Sequence, residues 1–150
     1  MRRPEEVFVV VHRPGARGRE YLVLERAPER QGYWHLVSGA LELGEEPPEA
    51  ARRELAEEVG LVAPVEDLAK TYVYSLADEP PEVRRRFAPE VAEITVTSYA
   101  AEAPPDWEPV LDEEHVGYRW CSVEEAASVL HYPEPRDALE RADQQLRDGP

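Results

Sequence analysis

Between Gly39 and Leu61 the chain reads GALELGEEPPEAARRELAEEVGL, and no other segment restricts the fold as much. Pro47-Pro48 opens it and Gly60 closes it. Proline's fixed φ suits a first helical turn, and glycine tolerates the left-handed backbone just past a helix end. Ala50, Ala51, Leu55 and Ala56 lie between, all strong helix formers. A helix is therefore expected from about Pro48 to Val59. At about 100° per residue, Glu54, Glu57 and Glu58 fall within roughly 100° of arc. Ala51, Leu55 and Val59 occupy the adjoining stripe, which would pack on a sheet. One edge of a packed helix then carries three converging carboxylates.

Like charges at this spacing cost a few tenths of a kcal/mol per pair when exposed. The cost grows as the dielectric falls. A divalent cation among the glutamates removes it. Carboxylate oxygens with no imidazole or thiolate beside them suit a hard ion, Mg²⁺ or Mn²⁺. Mg²⁺ keeps several waters and binds phosphate oxygens in its remaining positions, which lets an acidic site hold an anion. The plain alternative is a solvated amphipathic helix with a charged outer face. Three glutamates alone do not exclude it.

The spacing of the whole segment does. Gly39, Glu45, Arg53, Glu54, Leu55, Glu57, Glu58, Gly60 and Leu61 fill every specified position of G-x5-E-x7-R-E-U-x-E-E-x-G-U, with U aliphatic. This is the Nudix box, and the chain resembles the Nudix hydrolases. Seven of these positions are fixed identities, and at roughly 7% usage each, chance agreement is on the order of one in 10⁸ per window. The resemblance implies an α/β (α+β) Nudix fold, a mixed β-sheet between α-helices, with the box as loop–helix–loop. It implies that Glu54, Glu57 and Glu58 bind the metal, with the Gly39 carbonyl as a further ligand. It implies that Arg53 pairs with Glu45 to hold the loop and orient the helix. The implied reaction is attack of water on a phosphorus of a nucleoside diphosphate linked to another group. A metal that lowers the pKa of water and neutralises phosphoryl charge agrees with that chemistry. The water's proton would pass to Glu57, to Glu58 or to a glutamate from a distant loop.

A weaker resemblance extends over nearly the whole chain. Trp34 to Glu45 (WHLVSGALELGE), Arg84 to Pro89 (RRRFAP), Arg3-Pro4 before a valine-rich strand, and Glu114-His115 ahead of Tyr118-Arg119-Trp120 carry it. These look like bacterial dihydroneopterin triphosphate pyrophosphatases, also described as dATP pyrophosphohydrolases. That likeness implies a nucleoside triphosphate or analogue cut to monophosphate and pyrophosphate. It implies Glu114, or the adjacent Glu113, as an added metal ligand. Phosphate contacts would come from Arg2 or Arg3, from Arg26, from Arg84 in the Arg84–Arg86 cluster, and from Arg136. Ser38 would offer a hydroxyl. Tyr33 and Trp34 either stack on a base or simply pack. Val96 departs from the group, which carries an acid there. The alternative readings are hydrolysis of a dinucleoside polyphosphate or nucleotide sugar, and a nucleotide-binding module without turnover. The strand-rich remainder disfavours a purely structural acidic helical protein.

That remainder supplies a sheet. Strands are expected at Val7–His12, Tyr21–Leu24, Tyr33–Val37, Lys70–Leu76, Glu93–Ala101 and Val116–Cys121, with Asp78–Arg86 as a polar loop. Ser122 with Glu125 forms a capping box for a further helix, and Arg136–Leu146 reads as the last one. A length of 150 residues favours one domain, 1–150. The formal net charge of −15 repels nucleic acid polymers and anionic membranes. The longest apolar run, Val7–Val11, is too short for a bilayer, and no signal peptide is expected after Arg2-Arg3. Cys121 is the single cysteine, so no internal disulfide can form, which fits a reducing cytoplasm. Oligomeric state stays open, a dimer included.

Overall fold

A computed structural model describes residues 2–149. Its first strand, β1 (Glu5–Gly15), is the axis of the sheet. Val7, Val9 and Val11 point to one face and Phe8 and Val10 to the other, all of them buried. An unbroken apolar run of this kind is what a strand covered on both faces needs. β1 runs parallel to β6 (Glu93–Glu102) and antiparallel to β2 (Gly18–Arg26) and β4 (Val37–Ala40). β2 also pairs with β3 (Trp34–His35) and β7 (His115–Cys121), and β5 (Glu66–Ser75) flanks β6. The result is a mixed, seven-stranded sheet.

Helices cover both faces, as the layer pattern implied. On one side α1 (Pro47–Val59) buries Ala50, Ala51, Leu55 and Val59 against Val7, Val9, Leu22 and Leu24. Beyond the short α2 (Pro81–Arg84), α3 (Val123–Val129) and α4 (Pro133–Asp148) cover the other side. There Ala126, Ala138, Leu139 and Ala142 meet Phe8, Val10 and Val23. The helix ends follow the sequence signals. Gly60 closes α1 at φ 78°, its N–H donating to the Ala56 carbonyl at 3.0 Å. At α3, the Ser122 hydroxyl accepts from the Glu125 N–H at 3.2 Å, and the Glu125 carboxylate accepts from the Ser122 N–H at 3.0 Å.

Several boundaries differ from expectation. The segment read as one strand, Tyr33–Val37, is divided. Trp34–His35 pairs with β2 and Val37–Ala40 with β1. The cause is that β1 and β2 pair only from His12 onward. Before that they splay, and this segment bridges the gap. β5 begins at Glu66 rather than Lys70, with an irregularity between Asp67 and Thr71. There Ala69 adopts φ 53° and its N–H donates to the Asp67 carboxylate at 2.7 Å. A bulge of this kind leaves no periodic trace. The polar loop contains α2. The last helix starts at Pro133, because prolines in a first turn displace no hydrogen bond. Among the described residues, no helix is long and apolar enough to cross a membrane.

Leu55 is fully buried and fixes the rotation of α1 on the sheet. Leu55→Ala is expected to cost about 3 kcal/mol, read as a lower midpoint in urea unfolding.

Candidate functional site

The acidic edge of α1 is organised by Arg53. Its guanidinium holds Glu45 with two bonds, Nε to Oε2 at 2.8 Å and Nη2 to Oε1 at 2.9 Å. Nη2 also reaches the Ala40 carbonyl at 2.9 Å, and Nη1 reaches Glu54 at 2.7 Å and Glu57 at 3.3 Å. A planar fork can satisfy several acceptors at once in this way. The bond from Arg53 comes first among the causes holding the Glu45 carboxyl below its ordinary range. The pairing implied for Arg53 and Glu45 is thus present. Glu45 in turn accepts from the Glu42 N–H at 2.8 Å. Gly39 sits beneath the edge, where a Cβ would collide with the carboxyl group of Glu54.

The three glutamates differ in environment. Glu57 keeps 58% of its side chain exposed, Glu54 14% and Glu58 3%. Glu58 Oε1 accepts from the Ser38 backbone N–H at 3.4 Å, while Oε2 is buried with no hydrogen-bond partner among the described residues. Burial pushes the Glu58 pKa well above the usual range, and the neighbouring Glu54 carboxylate and the charge of Asp112 add to the rise. Two residues to which the sequence reading assigned no role in the site complete this corner. His115 Nε2 lies 3.9 Å from Glu58 Oε1, and its Nδ1 is 2.7 Å from Asp112 Oδ1. The Asp112 N–H also donates to the Glu58 carbonyl at 3.2 Å. An acid three residues before a histidine is too common a pattern to mark them.

As they stand, no three carboxylate or imidazole groups among the described residues enclose a common ion position. Arg53 draws Glu54 and Glu57 toward itself. The residues nevertheless fit a hard divalent cation. Glu58 offers a buried oxygen without a partner among the described residues, Gly39 leaves room that a Cβ would fill, and the carboxylates outnumber the one imidazole beside them, that of His115.

The other expected contacts are scattered. Glu114 is turned onto Arg30, at 2.9 Å, and Glu113 is exposed. Arg3 is already engaged within the chain. Its Nη1 donates to the carbonyls of Glu42 and Glu45 at 2.7 and 3.1 Å, and it pairs with Glu5, so it clamps the loop ahead of α1. Arg2 pairs with Glu6 at 3.1 Å. Arg26 donates to the Arg30 carbonyl at 3.2 Å and lies over the Tyr33 ring at 5.0 Å. Arg84 is exposed in α2, and Arg136 donates to the Tyr132 carbonyl at 3.2 Å in the first turn of α4. Ser38 meets Glu58 through its backbone rather than its hydroxyl. Trp34 packs on the core, whereas Tyr33 joins a ring cluster. Val96 is 1% exposed in the core, where an acid would find no water.

The raised Glu58 pKa has a consequence for stability. A carboxyl whose folded value exceeds its unfolded one favours folding at low pH. That contribution is lost as pH rises from near 4.3 through the folded value. Without metal, Glu58→Gln is expected to melt above wild type at pH 8, with the gap closing toward pH 4.5. Scanning calorimetry across that range reads it.

Comparison with known proteins places this geometry in context. A family model described as NUDIX domain matches residues 2–142. The chain is 29% identical over 145 residues to the dihydroneopterin triphosphate diphosphatase of Escherichia coli, covering 93% of this chain and 92% of that one. The solved Escherichia coli dihydroneopterin triphosphate pyrophosphohydrolase superposes with a TM-score of 0.78 at 28% identity, covering 93% and 94%. An octanoyltransferase of Myxococcus xanthus is 36% identical over 122 residues, which is 81% of this chain but only 31% of that protein's length.

Proposed function

Because the chain belongs to the Nudix hydrolase family, we propose that it is a Mg²⁺-dependent pyrophosphohydrolase. It cleaves a nucleoside triphosphate or a close analogue, dATP-like or dihydroneopterin triphosphate-like, to the monophosphate and pyrophosphate. Mn²⁺ would substitute. The observation that carries the reading is Glu58: a buried carboxylate oxygen without a partner, beside Glu54, on an edge fixed by Arg53. The Escherichia coli relative's name supports the choice of substrate class.

Glu54, Glu57 and Glu58 would hold the metal, with the Gly39 carbonyl beside them. Bound there, the metal supplies a water of lowered pKa and neutralises charge on the phosphoryl oxygens. The chain's own residues do the rest. Arg53 orients Glu54 and Glu57 while tying the helix to the preceding loop. His115, held by Asp112, lies against Glu58. Glu57, the box glutamate most open to solvent, would take the proton of an attacking water. The acidic surface keeps polymeric nucleic acid away and leaves small phosphates to the cation-loaded edge.

The test is a panel of nucleoside triphosphates, dinucleoside polyphosphates and sugar nucleotides with Mg²⁺, with pyrophosphate and phosphate release scored separately. Triphosphates should release pyrophosphate, and a chelator should abolish turnover. Glu57→Gln and Glu58→Gln should each lower kcat on the order of 10²–10³-fold. Wild-type turnover in both variants would contradict the assignment. Preferential cleavage of dinucleoside polyphosphates or sugar nucleotides would move the substrate class instead.

A further inference from the structure

Between β6 and β7, residues 103–114 form a stretch with no helix or strand of its own. Connections of that length inside a compact domain are uncommon and usually serve a function. Pro104, Pro105 and Pro109 withhold N–H donors from it. Its conformation is imposed by its neighbours. The Val110 N–H donates to the Val59 carbonyl at 2.9 Å, and the Asp112 N–H to the Glu58 carbonyl at 3.2 Å. The loop thus caps the last turn of α1, whose carbonyls have no partner within the helix. Trp107 and Leu111 pack on the core beneath α1. The same loop brings Asp112 and His115 against Glu58.

A group outside the acidic edge ties the start of this loop down. Arg13, near the end of β1, keeps 11% of its side chain exposed. Its guanidinium carbon lies 3.9 Å from the centroid of the Trp120 ring on β7. Nη1 donates to the Trp107 carbonyl at 2.5 Å and to Glu108 Oε2 at 2.8 Å, and Nε donates to Glu20 Oε1 on β2 at 2.9 Å. The other oxygen of Glu108 accepts from Trp120 Nε1 at 2.9 Å and from the Tyr118 hydroxyl at 3.1 Å. A guanidinium stacked on an indole while it holds two carboxylates is fixed in direction as well as position. Among the described residues, none of these side chains is bonded to Glu54, Glu57 or Glu58. Phe8, the strand partner of Ser38, lies five residues before Arg13 in β1, about 17 Å away along the strand. Glu108 and Asp112, by contrast, belong to one short stretch of chain. The connection from Arg13 to Glu58 therefore runs through the loop.

We propose that Arg13 and Glu108 are positioning residues for the Glu58 corner: they latch residues 103–114 in the conformation that holds Asp112 and His115 against Glu58. The role rests on the reading of that corner as part of a metal site. A loop released at Glu108 loses the restraint that keeps the Val110 and Asp112 N–H groups on the end of α1. Glu58 then loses fixed neighbours, and a carboxylate whose supporting contacts move binds a cation less tightly. Glu108 is the residue to change. Its side chain is half-exposed and stands outside the apolar core, so Glu108→Ala leaves the sheet and its covering helices in place.

Two measurements test this, and neither needs turnover. Amide hydrogen exchange on the metal-free protein reads the loop. Titration with Mn²⁺, followed by electron paramagnetic resonance, reads the edge. Glu108→Ala should speed exchange of the Val110 and Asp112 amides about tenfold, while the amides of β1 from Val7 to Val11 exchange as in wild type. It should also weaken Mn²⁺ binding about tenfold. Arg13→Lys keeps the charge but cannot stack on Trp120 and span Glu20 and Glu108 in one plane, so it should behave alike. Unchanged exchange at Val110 and Asp112 in either variant would overturn the latch and leave the metal reading standing. Faster exchange with wild-type Mn²⁺ affinity would confine Arg13 and Glu108 to holding the loop, and overturn their role in the site. A wild type that binds no Mn²⁺ overturns that role together with the metal reading.

Discussion

The fork between Arg53 and Glu45 is the interaction on which the rest of the site depends. It spans the loop and the helix of one segment, with both side chains mostly withdrawn from water at 20% and 13% exposure. A bidentate, charge-assisted pair fixes direction as well as distance. The same guanidinium then orients Glu54 and Glu57 and takes up the Ala40 carbonyl at the end of β4. Arg3 secures the loop from its outer side. Without the fork, the acidic edge would be three like charges on a helix with no reason to converge.

Glu58 shows where this arrangement works against stability. A carboxylate almost wholly removed from water, beside two other acids, is unfavourable to folding unless something compensates. Hydrophobic packing of α1 supplies the compensation, through Leu55, Val59 and the two alanines against the valines of β1. Local departures from ordinary folding rules of this sort concentrate where a protein acts on a ligand.

Much of this could be read in the sequence, for identifiable reasons. The helix of the box was legible because Pro47 and Gly60 punctuate it and its apolar stripe is regular. β1 was legible because Val7–Val11 has no polar interruption. Where tertiary pairing decides, the signal fails. The division of Tyr33–Val37 follows from the splaying of β1 and β2, which no residue in that stretch encodes. Asp112 and His115 reach Glu58 across the fold, without any spacing that announces it. Resemblance supplied positions but not side-chain directions. Arg3 and Glu114 stand at the expected places in the chain, yet one clamps carbonyls and the other meets Arg30. The ring cluster needed His131 and Tyr132 to be folded back onto Tyr33 before it could be seen.

The central claim is that the edge of α1 gathers its carboxylates around a divalent ion. A crystal grown with Mn²⁺ and a non-hydrolysable nucleotide, measured for anomalous scattering, addresses it directly. The expected result is a manganese peak held by oxygens of Glu54, Glu57 and Glu58, with phosphate oxygens on its far side. A map in which Glu54 and Glu57 still rest on Arg53, Glu58 stays turned inward, and no anomalous peak lies between them would contradict the claim.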